Sequence, residues 1–238
     1  MSSIKTYVVH VKGDKAREAH ITKELTKHHI PFQFMLDGNI EDITDSILEK
    51  YFGDSMKRKT SQTSCALKHI LIYEEMIKNN VEQALIFEDD IELTKSFNRV
   101  FSTCLVEIEN RKLNNYAIFY ENTNLLYIKK SEAVAGQILY EKKSSRYAGA
   151  YLLDIAAAKG IIEYIKQKKC DRPIDWLYNK LAEDNSINIY WSYPPIAEQA
   201  SHNGKMQSLL DGKKYGFFRR VSYFLQKIYK KEILYKLR

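Results

Sequence analysis

The chain has 238 residues, 45% of them hydrophobic and 28% charged, with only four prolines and nine glycines. These values predict one large globular domain or two small ones and argue against long linkers and low complexity. The net charge is +7. Residues 213–238 hold nine basic residues and one acid and so carry +8, which leaves a net charge of −1 on the rest of the chain. A near-neutral globule argues against nucleic-acid binding through overall basicity.

The three cysteines, Cys65, Cys104 and Cys170, form no Cys-x-x-Cys pair. Their odd number and wide spacing argue against a disulfide framework or a zinc site, and indicate reduced thiols in the cytoplasm. The first residues lack a signal-peptide pattern, and no apolar run approaches the roughly 18 residues of a membrane span. We therefore expect a cytoplasmic protein that is neither secreted by this route nor integral to a membrane.

Hydrophobic periodicity predicts alternating strands and helices along most of the chain. In chain order the pattern indicates strand 4–11, helix 15–28, strand 30–36, helix 42–52, a polar loop at 53–63, helix 64–79, strand 84–87, helix 97–111 and strand 116–120. It continues with a short hairpin at 125–139, strand 148–153, helices 155–168 and 172–181, strand 187–191 and an extended segment at 193–197. This alternation is typical of βαβ units and predicts an α/β fold.

The stretch 84–93 carries the strongest chemical signal, because a short apolar run leads directly into Glu88, Asp89 and Asp90. Acids at the end of a buried strand repel one another and resist desolvation, and a cation resolves that conflict. Oxygen ligands suit a hard ion, so we predict Mn²⁺ or Mg²⁺ here. On an extended backbone Glu88 and Asp90 point to one side and Asp89 to the other. The alternative is a solvated acidic turn.

Several short motifs follow one another in a fixed order. They are Tyr7-Val8-Val9-His10-Val11 with Arg17, Asp37-Gly38, Cys65-Ala66-Leu67-Lys68-His69, the run 85–90, Gly149-Ala150-Tyr151-Leu152, Pro173-Ile174-Asp175, and Pro194-Pro195 with Gln199. Their joint order resembles glycosyltransferase family 25, which includes lipopolysaccharide and lipooligosaccharide glycosyltransferases and the collagen galactosyltransferases. The likeness covers residues 4–205. Ser64 and Lys68 depart from it, since the family usually has Gly and Ser there.

The resemblance implies a GT-A fold, a mostly parallel nucleotide-sugar-binding sheet flanked by helices, in a domain at 1–205. It also implies a metal-dependent, inverting transfer from a nucleotide sugar, commonly UDP-galactose, to a glycan or lipid-linked glycan acceptor. Such transfer needs a group that takes the proton of the acceptor hydroxyl. The position matching the family is Asp175, with Asp171 as the fallback. The alternative role for Asp175 is to accept hydrogen bonds from backbone amides at a helix N-terminus.

The same resemblance suggests the remaining site residues. The predicted metal ligands are Asp90, Glu88 and Asp89, with His202 as a late ligand. The predicted nucleotide-sugar contacts are Val9, Arg17, Asp37, His69, Gly149 and Gln199. Trp176 and Tyr151 are predicted to stack on the acceptor or a sugar. For His69 a place in the core is the alternative, for Arg17 a solvated helix charge, for Asp37 an Asp-Gly turn, and for His202 an exposed loop.

The basic tail, 206–238, is a separate unit in this prediction. Its apolar residues recur at helical spacing and basic residues fill most of the gaps, as in an interfacial membrane helix. The predicted membrane contacts are Phe217, Phe218, Arg219, Arg220, Phe224 and Lys227. An anionic inner-membrane surface would add about 1 kcal/mol per basic residue. The alternative is a helix that packs on the domain with its basic side in solvent.

Two functions from other classes compete with glycosyl transfer. One is a nucleic-acid-binding protein or metal-dependent nuclease that uses the basic tail. The lack of a basic surface on the rest of the chain argues against it. The other is a sugar-binding adaptor without activity, against which the intact Glu88-Asp89-Asp90 sequence argues.

Overall fold

The computed structural model describes residues 4–201, 203, 205–207 and 217–235, with only the backbone at 217–219. The strands are β1 (Lys5–Val9), β2 (Gln33–Met35), β3 (Gln83–Glu88), β4 (Ile91–Leu93), β5 (Tyr116–Phe119), β6 (Leu139–Lys142), β7 (Ala150–Asp154), β8 (Asn188–Ser192) and β9 (Ala197–Gln199). The α-helices are α1 (Lys15–Lys27), α2 (Asp45–Tyr51), α3 (Ser61–Lys78), α4 (Phe97–Arg111), α5 (Ile155–Lys168), α6 (Ile174–Glu183) and α7 (Phe217–Ile228). Short 3₁₀ turns lie at Ile40–Asp42 and Asp54–Met56, and a π-helical turn at Tyr229–Leu234 extends α7.

Seven strands form the central sheet in the order β2-β1-β3-β7-β5-β8-β6. The pairs β1–β2, β1–β3 and β5–β8 are parallel, whereas β7 is antiparallel to both neighbours and β6 is antiparallel to β8. Five strands therefore run in one direction, and only β6 and β7 oppose them. The predicted α/β fold with a largely parallel sheet flanked by helices is confirmed.

Both faces of the sheet are buried, which explains why its strands read as continuous apolar runs. In β3, Ala84 and Ile86 belong to one core and Leu85 and Phe87 to the other. The first core lies under α3, α5 and α6, and the second under α1 and α4. The acids that follow β3 therefore begin where a strand buried on both sides reaches the edge of the core.

A second, two-stranded sheet pairs β4 with β9 in antiparallel register, with Ile91 opposite Gln199. This pairing joins segments about a hundred residues apart and brings Gln199 to the end of β3. Strand β3 ends at Glu88 and β4 begins at Ile91, so Asp89 and Asp90 form the tight connection between the two strands. Local periodicity does not predict this long-range contact.

The predicted hairpin at 125–139 is wrong. The segment forms turns, such as Leu125 N–H to Asn122 O and Glu132 N–H to Lys129 O, and only Leu139 enters a strand. That strand, β6, pairs with the distant β8. The apolar residues that suggested strands are buried by packing of an irregular segment, without a ladder between them.

The tail helix rests on the domain through one side. The Lys227 ammonium forms an ion pair with Glu198, and the rings of Tyr235 and Tyr127 lie 5.4 Å apart edge to face. Val221, Phe224, Leu225 and Ile228 are exposed on another side. Within the described ranges, every helix is too short or too polar to cross a bilayer.

Candidate active site

A cavity of about 140 Å³ lies at the carboxyl ends of β1 and β3. The chain runs from β1 to β2 on one side and then to β3 on the other, so strand order reverses between β1 and β3. Ligand crevices of open α/β sheets form at such reversals. The polar residues that line the cavity are His10, Arg17, Asn39, Glu41, Ser61, Ser64, Lys68, Glu88, Asp89, Asp90, Gln199 and Ser201.

The Asp89 carboxylate contacts two side chains at the edge of the cavity, His10 and Arg17. One carboxylate oxygen lies 2.8 Å from His10 Nδ1 and the other accepts from Arg17 Nη1 at 2.5 Å. Burial raises the pKa of Asp89, but the His10 hydrogen bond and the Arg17 charge outweigh it and hold that pKa below its usual value. Arg17 Nη2 also donates to Gln207 O at 2.8 Å. Asp89 is therefore an ionised structural partner of Arg17.

Asp90 is buried beside these groups and is incompletely bonded. Its Oδ2 accepts a long hydrogen bond from Ser201 N at 3.4 Å and lies 3.9 Å from Arg17 Nη2. Its Oδ1 has no hydrogen-bond partner in the described part of the chain. Burial and the nearby Glu88 charge raise the pKa of Asp90. An orphaned buried carboxylate oxygen is costly, and a ligand or cation would satisfy it.

Glu88 is tied to three groups by its two oxygens. Gln199 Nε2 donates to Oε2 at 2.6 Å, while Oε1 lies 3.7 Å from Cys65 Sγ and 3.6 Å from His69 Nε2. Gly149 permits this arrangement, since a Cβ there would lie 2.9 Å from the Gln199 side chain. Glu88 therefore lines the cavity while Gln199, Cys65 and His69 pack around its carboxylate; these residues and Gly149 are called the packed wall below.

His69 and a row of tyrosines form the layer behind Glu88. His69 Nδ1 lies 2.7 Å from the Tyr151 hydroxyl, which lies 2.7 Å from that of Tyr73. Tyr73 in turn lies 2.6 Å from the Tyr178 hydroxyl. All four rings are buried, so the row fixes the imidazole.

Glu121 is a buried carboxyl group that contacts Gly149 and Thr123. Its oxygens accept from Gly149 N and from Thr123 Oγ1. Thr123 Oγ1 also accepts from Gln199 N at 2.9 Å. Burial and the Glu88 charge raise the pKa of Glu121 well above its usual value.

The sequence profile described as Glycosyltransferase family 25 (LPS biosynthesis protein) matches residues 3–178. The chain belongs to glycosyltransferase family 25. It is 30% identical over 179 residues to a Haemophilus influenzae protein named as a glycosyltransferase, covering 72% of this chain and 61% of that protein. It is 23% identical over 246 residues to the lipooligosaccharide biosynthesis protein lex-1 of the same organism, covering 88% of this chain and 81% of lex-1.

A solved structure, A197 from STIV, is similar at a TM-score of 0.43 and 10% identity, covering 79% of this chain and 81% of that one. A score of this size supports no statement about function. The match to the Haemophilus influenzae protein named as a glycosyltransferase covers less than two thirds of that protein's length.

The fold of this family 25 chain brings most predicted nucleotide-sugar residues to one place. Val9, Arg17 and Gln199 line the cavity with the three acids, and His69 and Gly149 lie directly behind Glu88. Asp37 is exposed and does not line the cavity, and its carbonyl accepts from Lys68 Nζ, so its contact with a nucleotide stays a prediction. His202 lies outside the described residues.

Asp175 lies in the first turn of α6, near the cavity without lining it. Burial raises the pKa of Asp175, backbone amides oppose this, and the Glu88 charge raises it further. Asp171, the fallback, is bound by Arg172 and has a pKa below its usual value through that hydrogen bond.

Tyr151 is a correction to the sequence-based site, because it is 0% exposed and has rings on both sides. Its ring stacks on His69 at 5.7 Å and on Phe119 at 5.6 Å, so no sugar can reach its face. Trp176, in contrast, is 63% exposed beside Asp175 and remains available for stacking.

The predicted membrane residues differ in how exposed they are. Phe224 is exposed, whereas Lys227 is half-buried and paired with Glu198, and its contact with lipid stays a prediction. Arg220 is exposed. The side chains of Phe217, Phe218 and Arg219 lie outside the described residues.

Several cavity residues were not among the predicted site residues, and His10, Asn39 and Lys68 are three of them. His10 lies within the first motif, and its position directly after β1 was the signal that could have found it. Asn39 follows Asp37-Gly38 and lines the cavity in place of Asp37. Lys68 also lines it, and its ammonium is bound by Leu36 O and Asp37 O while burial lowers its pKa.

Proposed function

We propose that the chain transfers a sugar from a nucleoside-diphosphate sugar to a glycan acceptor, in a GT-A arrangement. The observation that carries this proposal is the unsatisfied Asp90 Oδ1, buried beside Glu88 at the reversal of strand order. Membership of family 25 supports the reaction class. Lipooligosaccharide biosynthesis, named for lex-1, suggests a bacterial surface glycan as acceptor, and UDP-galactose is the first donor to test.

A hard divalent ion, Mn²⁺ or Mg²⁺, fits Asp90 and Glu88 because both offer oxygen ligands and one of those oxygens lacks a partner. When bound there, it would supply charge stabilisation to the departing diphosphate. Asp89 does not fit as a ligand, since both of its oxygens are already used by His10 and Arg17. Its task in this proposal is to hold the turn so that Asp90 faces the cavity.

Asp175 is the proposed base that takes the proton of the acceptor hydroxyl in an inverting transfer. Its raised pKa suits a proton acceptor better than that of Asp171, which Arg172 stabilises as a carboxylate. The exposed Trp176 ring next to it offers a face for an acceptor sugar. Both residues come from the start of α6, so one element would place base and acceptor.

A donor panel tests this proposal directly. Purified protein is incubated with UDP-, GDP- and CMP-sugars, with Mn²⁺, with Mg²⁺ and with chelator, and released nucleotide is measured. We expect ion-dependent turnover of at least one UDP-sugar. Turnover that is equal in chelator would contradict the metal proposal, and binding of oligonucleotides but of no nucleotide sugar would favour the nucleic-acid alternative.

We also propose that α7 meets an anionic membrane with its exposed apolar side. Lys227 and Tyr235 anchor the tail, which leaves Val221, Phe224 and Leu225 facing outward. Exposed apolar residues bordered by basic ones are typical of interfacial helices. This orientation would hold the active site near a lipid-linked acceptor.

A further inference from the structure

A second set of donor atoms meets at the inner wall of the cavity. Cys65 and His69 are four residues apart on α3 and therefore share one face of the helix. Glu88, at the end of β3, points its Oε1 between them, 3.7 Å from Sγ and 3.6 Å from Nε2. One donor atom from each of the three lies within 4.8 Å of the others. Sulfur, nitrogen and oxygen thus converge from two elements.

The imidazole is already oriented for a ligand. His69 Nδ1 is hydrogen-bonded to the Tyr151 hydroxyl at 2.7 Å, and histidines that bind metals usually use their second nitrogen in this way. Its Nε2 is buried and has no hydrogen-bond partner among the residues the structure describes. The 3.6 Å gap to Glu88 is too long for a hydrogen bond, so this nitrogen is left unsatisfied.

We propose that Cys65 Sγ, His69 Nε2 and Glu88 Oε1 bind a thiophilic divalent ion, Zn²⁺ first among them. Tetrahedral zinc with ordinary bond lengths places its N and O ligands about 3.3 Å apart and its S and O ligands about 3.5 Å apart. The 3.6 and 3.7 Å distances to Glu88 Oε1 therefore need to close by only a few tenths of an ångström. Sγ and Nε2 lie within 4.8 Å of each other, and this third pair would also close when an ion binds. A thiolate ligand disfavours Mg²⁺ and Mn²⁺, so this site selects a different ion from the Asp90 site.

The proposed zinc site has an open fourth position. Cys65 and Glu88 line the cavity, so an ion bound to them would contact solvent or substrate there. Three protein ligands with one open position is the arrangement of catalytic and inhibitory zinc sites. Glu88 would belong to both sites. Resting on the proposed function, this predicts that Zn²⁺ inhibits Mn²⁺-supported turnover by withdrawing Glu88.

Cobalt is the probe for the test, because Co²⁺ adopts zinc geometries and its bond to a thiolate absorbs in the near ultraviolet. Chelator-stripped protein is titrated with Co²⁺ without nucleotide. We expect a charge-transfer band at one ion per chain, displaced by Zn²⁺. Cys65→Ser should abolish the band, whereas Cys104→Ser and Cys170→Ser, which alter the other two free cysteines, should retain it.

Tyr151→Phe separates a metal site from a merely structural histidine. It removes the hydroxyl that orients His69 and should weaken Zn²⁺ binding about 10–100-fold. Far-ultraviolet dichroism checks that each variant is folded. No cobalt–thiolate band in the native protein, or a band unchanged in Cys65→Ser, would overturn the zinc site. Either result leaves the donor panel unaffected, so failure of the zinc site and of the proposed function can be told apart.

Discussion

Gly149→Ala tests whether the packed wall behind the acids sets the position of Glu88. A Cβ at this residue would lie 2.9 Å from Cγ, Cδ and Nε2 of Gln199. Gln199 has little freedom to withdraw, because its backbone amide donates to Thr123 Oγ1 at 2.9 Å and its side chain donates to Glu88 at 2.6 Å. The substitution must either keep the clash or break the bond to Glu88.

The expected loss of stability comes either from the clash or from the broken hydrogen bond, and the two losses do not add. Non-bonded carbon atoms prefer about 3.5–4.0 Å, so Gln199 must move by more than half an ångström. Overpacking of this kind costs about 1–3 kcal/mol, and loss of a hydrogen bond to a charged group about 1.5–3 kcal/mol. We expect Gly149→Ala to lower the free energy of unfolding by about 2 kcal/mol, which lowers the Tm by about 4–8 °C in a chain of this size.

Chemical denaturation of a double-mutant cycle measures the clash directly. Gln199→Ala removes the colliding side chain, so Gly149→Ala should cost much less in that background, with a coupling energy above about 1 kcal/mol. Gly160→Ala on α5 is the matched control, since its added Cβ would have no neighbour closer than 3.6 Å. That control should be neutral or stabilising. Additive effects at positions 149 and 199 would refute the reasoning.

Three further predictions concern the acids and the tail. Asp89→Asn removes the shorter of the two carboxylate contacts of the buried Arg17, leaves Asp90 at 3.9 Å, and should cost up to about 3–5 kcal/mol. Because the folded pKa of Asp89 is depressed, native stability should fall as pH drops below 3.8, and denaturant titrations should show a weaker fall in the variant. In steady-state assays Asp175→Asn should lower kcat about 10²–10⁴-fold, while Asp171→Asn should leave kcat unchanged. Because the pKa of Asp175 is raised, native kcat/KM should fall with decreasing pH around a midpoint above pH 3.8. Phe224→Ser should weaken sedimentation with anionic vesicles about tenfold.

Each of these has a defined contradicting result. An Asp89 variant as stable as the native protein at neutral pH would remove the structural role given to its ion pair. Equal rates for the Asp175 and Asp171 variants would remove the proposed base. For the tail, Val106→Ser is the matched control, because Val106 is an exposed apolar residue on α4 and not on α7. Equal loss of vesicle binding in the Val106 and Phe224 variants would contradict membrane docking through α7.

Local sequence patterns predicted most of the sheet but little of what surrounds its edge. The apolar runs of β1 and β3 lie in a sheet buried on both faces, so their sequences carry a strong signal. The pairing of β4 with β9 depends on segments far apart in the chain, and a three-residue strand has no period to detect. For the same reason, Gln199 entered the predicted site through the family motif alone, and its hydrogen bond to Glu88 was not predicted.

The roles within the site depended on contacts that a single sequence does not reveal. Three consecutive acids signalled a charged site, but only the structure assigns Asp89 to His10 and Arg17 and leaves Asp90 unsatisfied. Tyr151 was expected at a sugar because of its motif, whereas it lies in β7, a strand that is buried along its whole length. The number of cysteines and the lack of a Cys-x-x-Cys pair do not reveal that helix α3 places Cys65 and His69 on one face beside Glu88.

Calorimetric titration of UDP, with Mn²⁺ and with chelator, tests the central claim most directly. The native protein should bind UDP more tightly with Mn²⁺, and Asp90→Asn should reduce that affinity by about tenfold or more, equivalent to 1.4 kcal/mol. Glu92→Gln is the control, because Glu92 lies two residues on and pairs with Lys205 at the surface; it should bind UDP as the native protein does. Equal affinity in Asp90→Asn and the native protein, or no effect of Mn²⁺ on either, would contradict the account of this cavity.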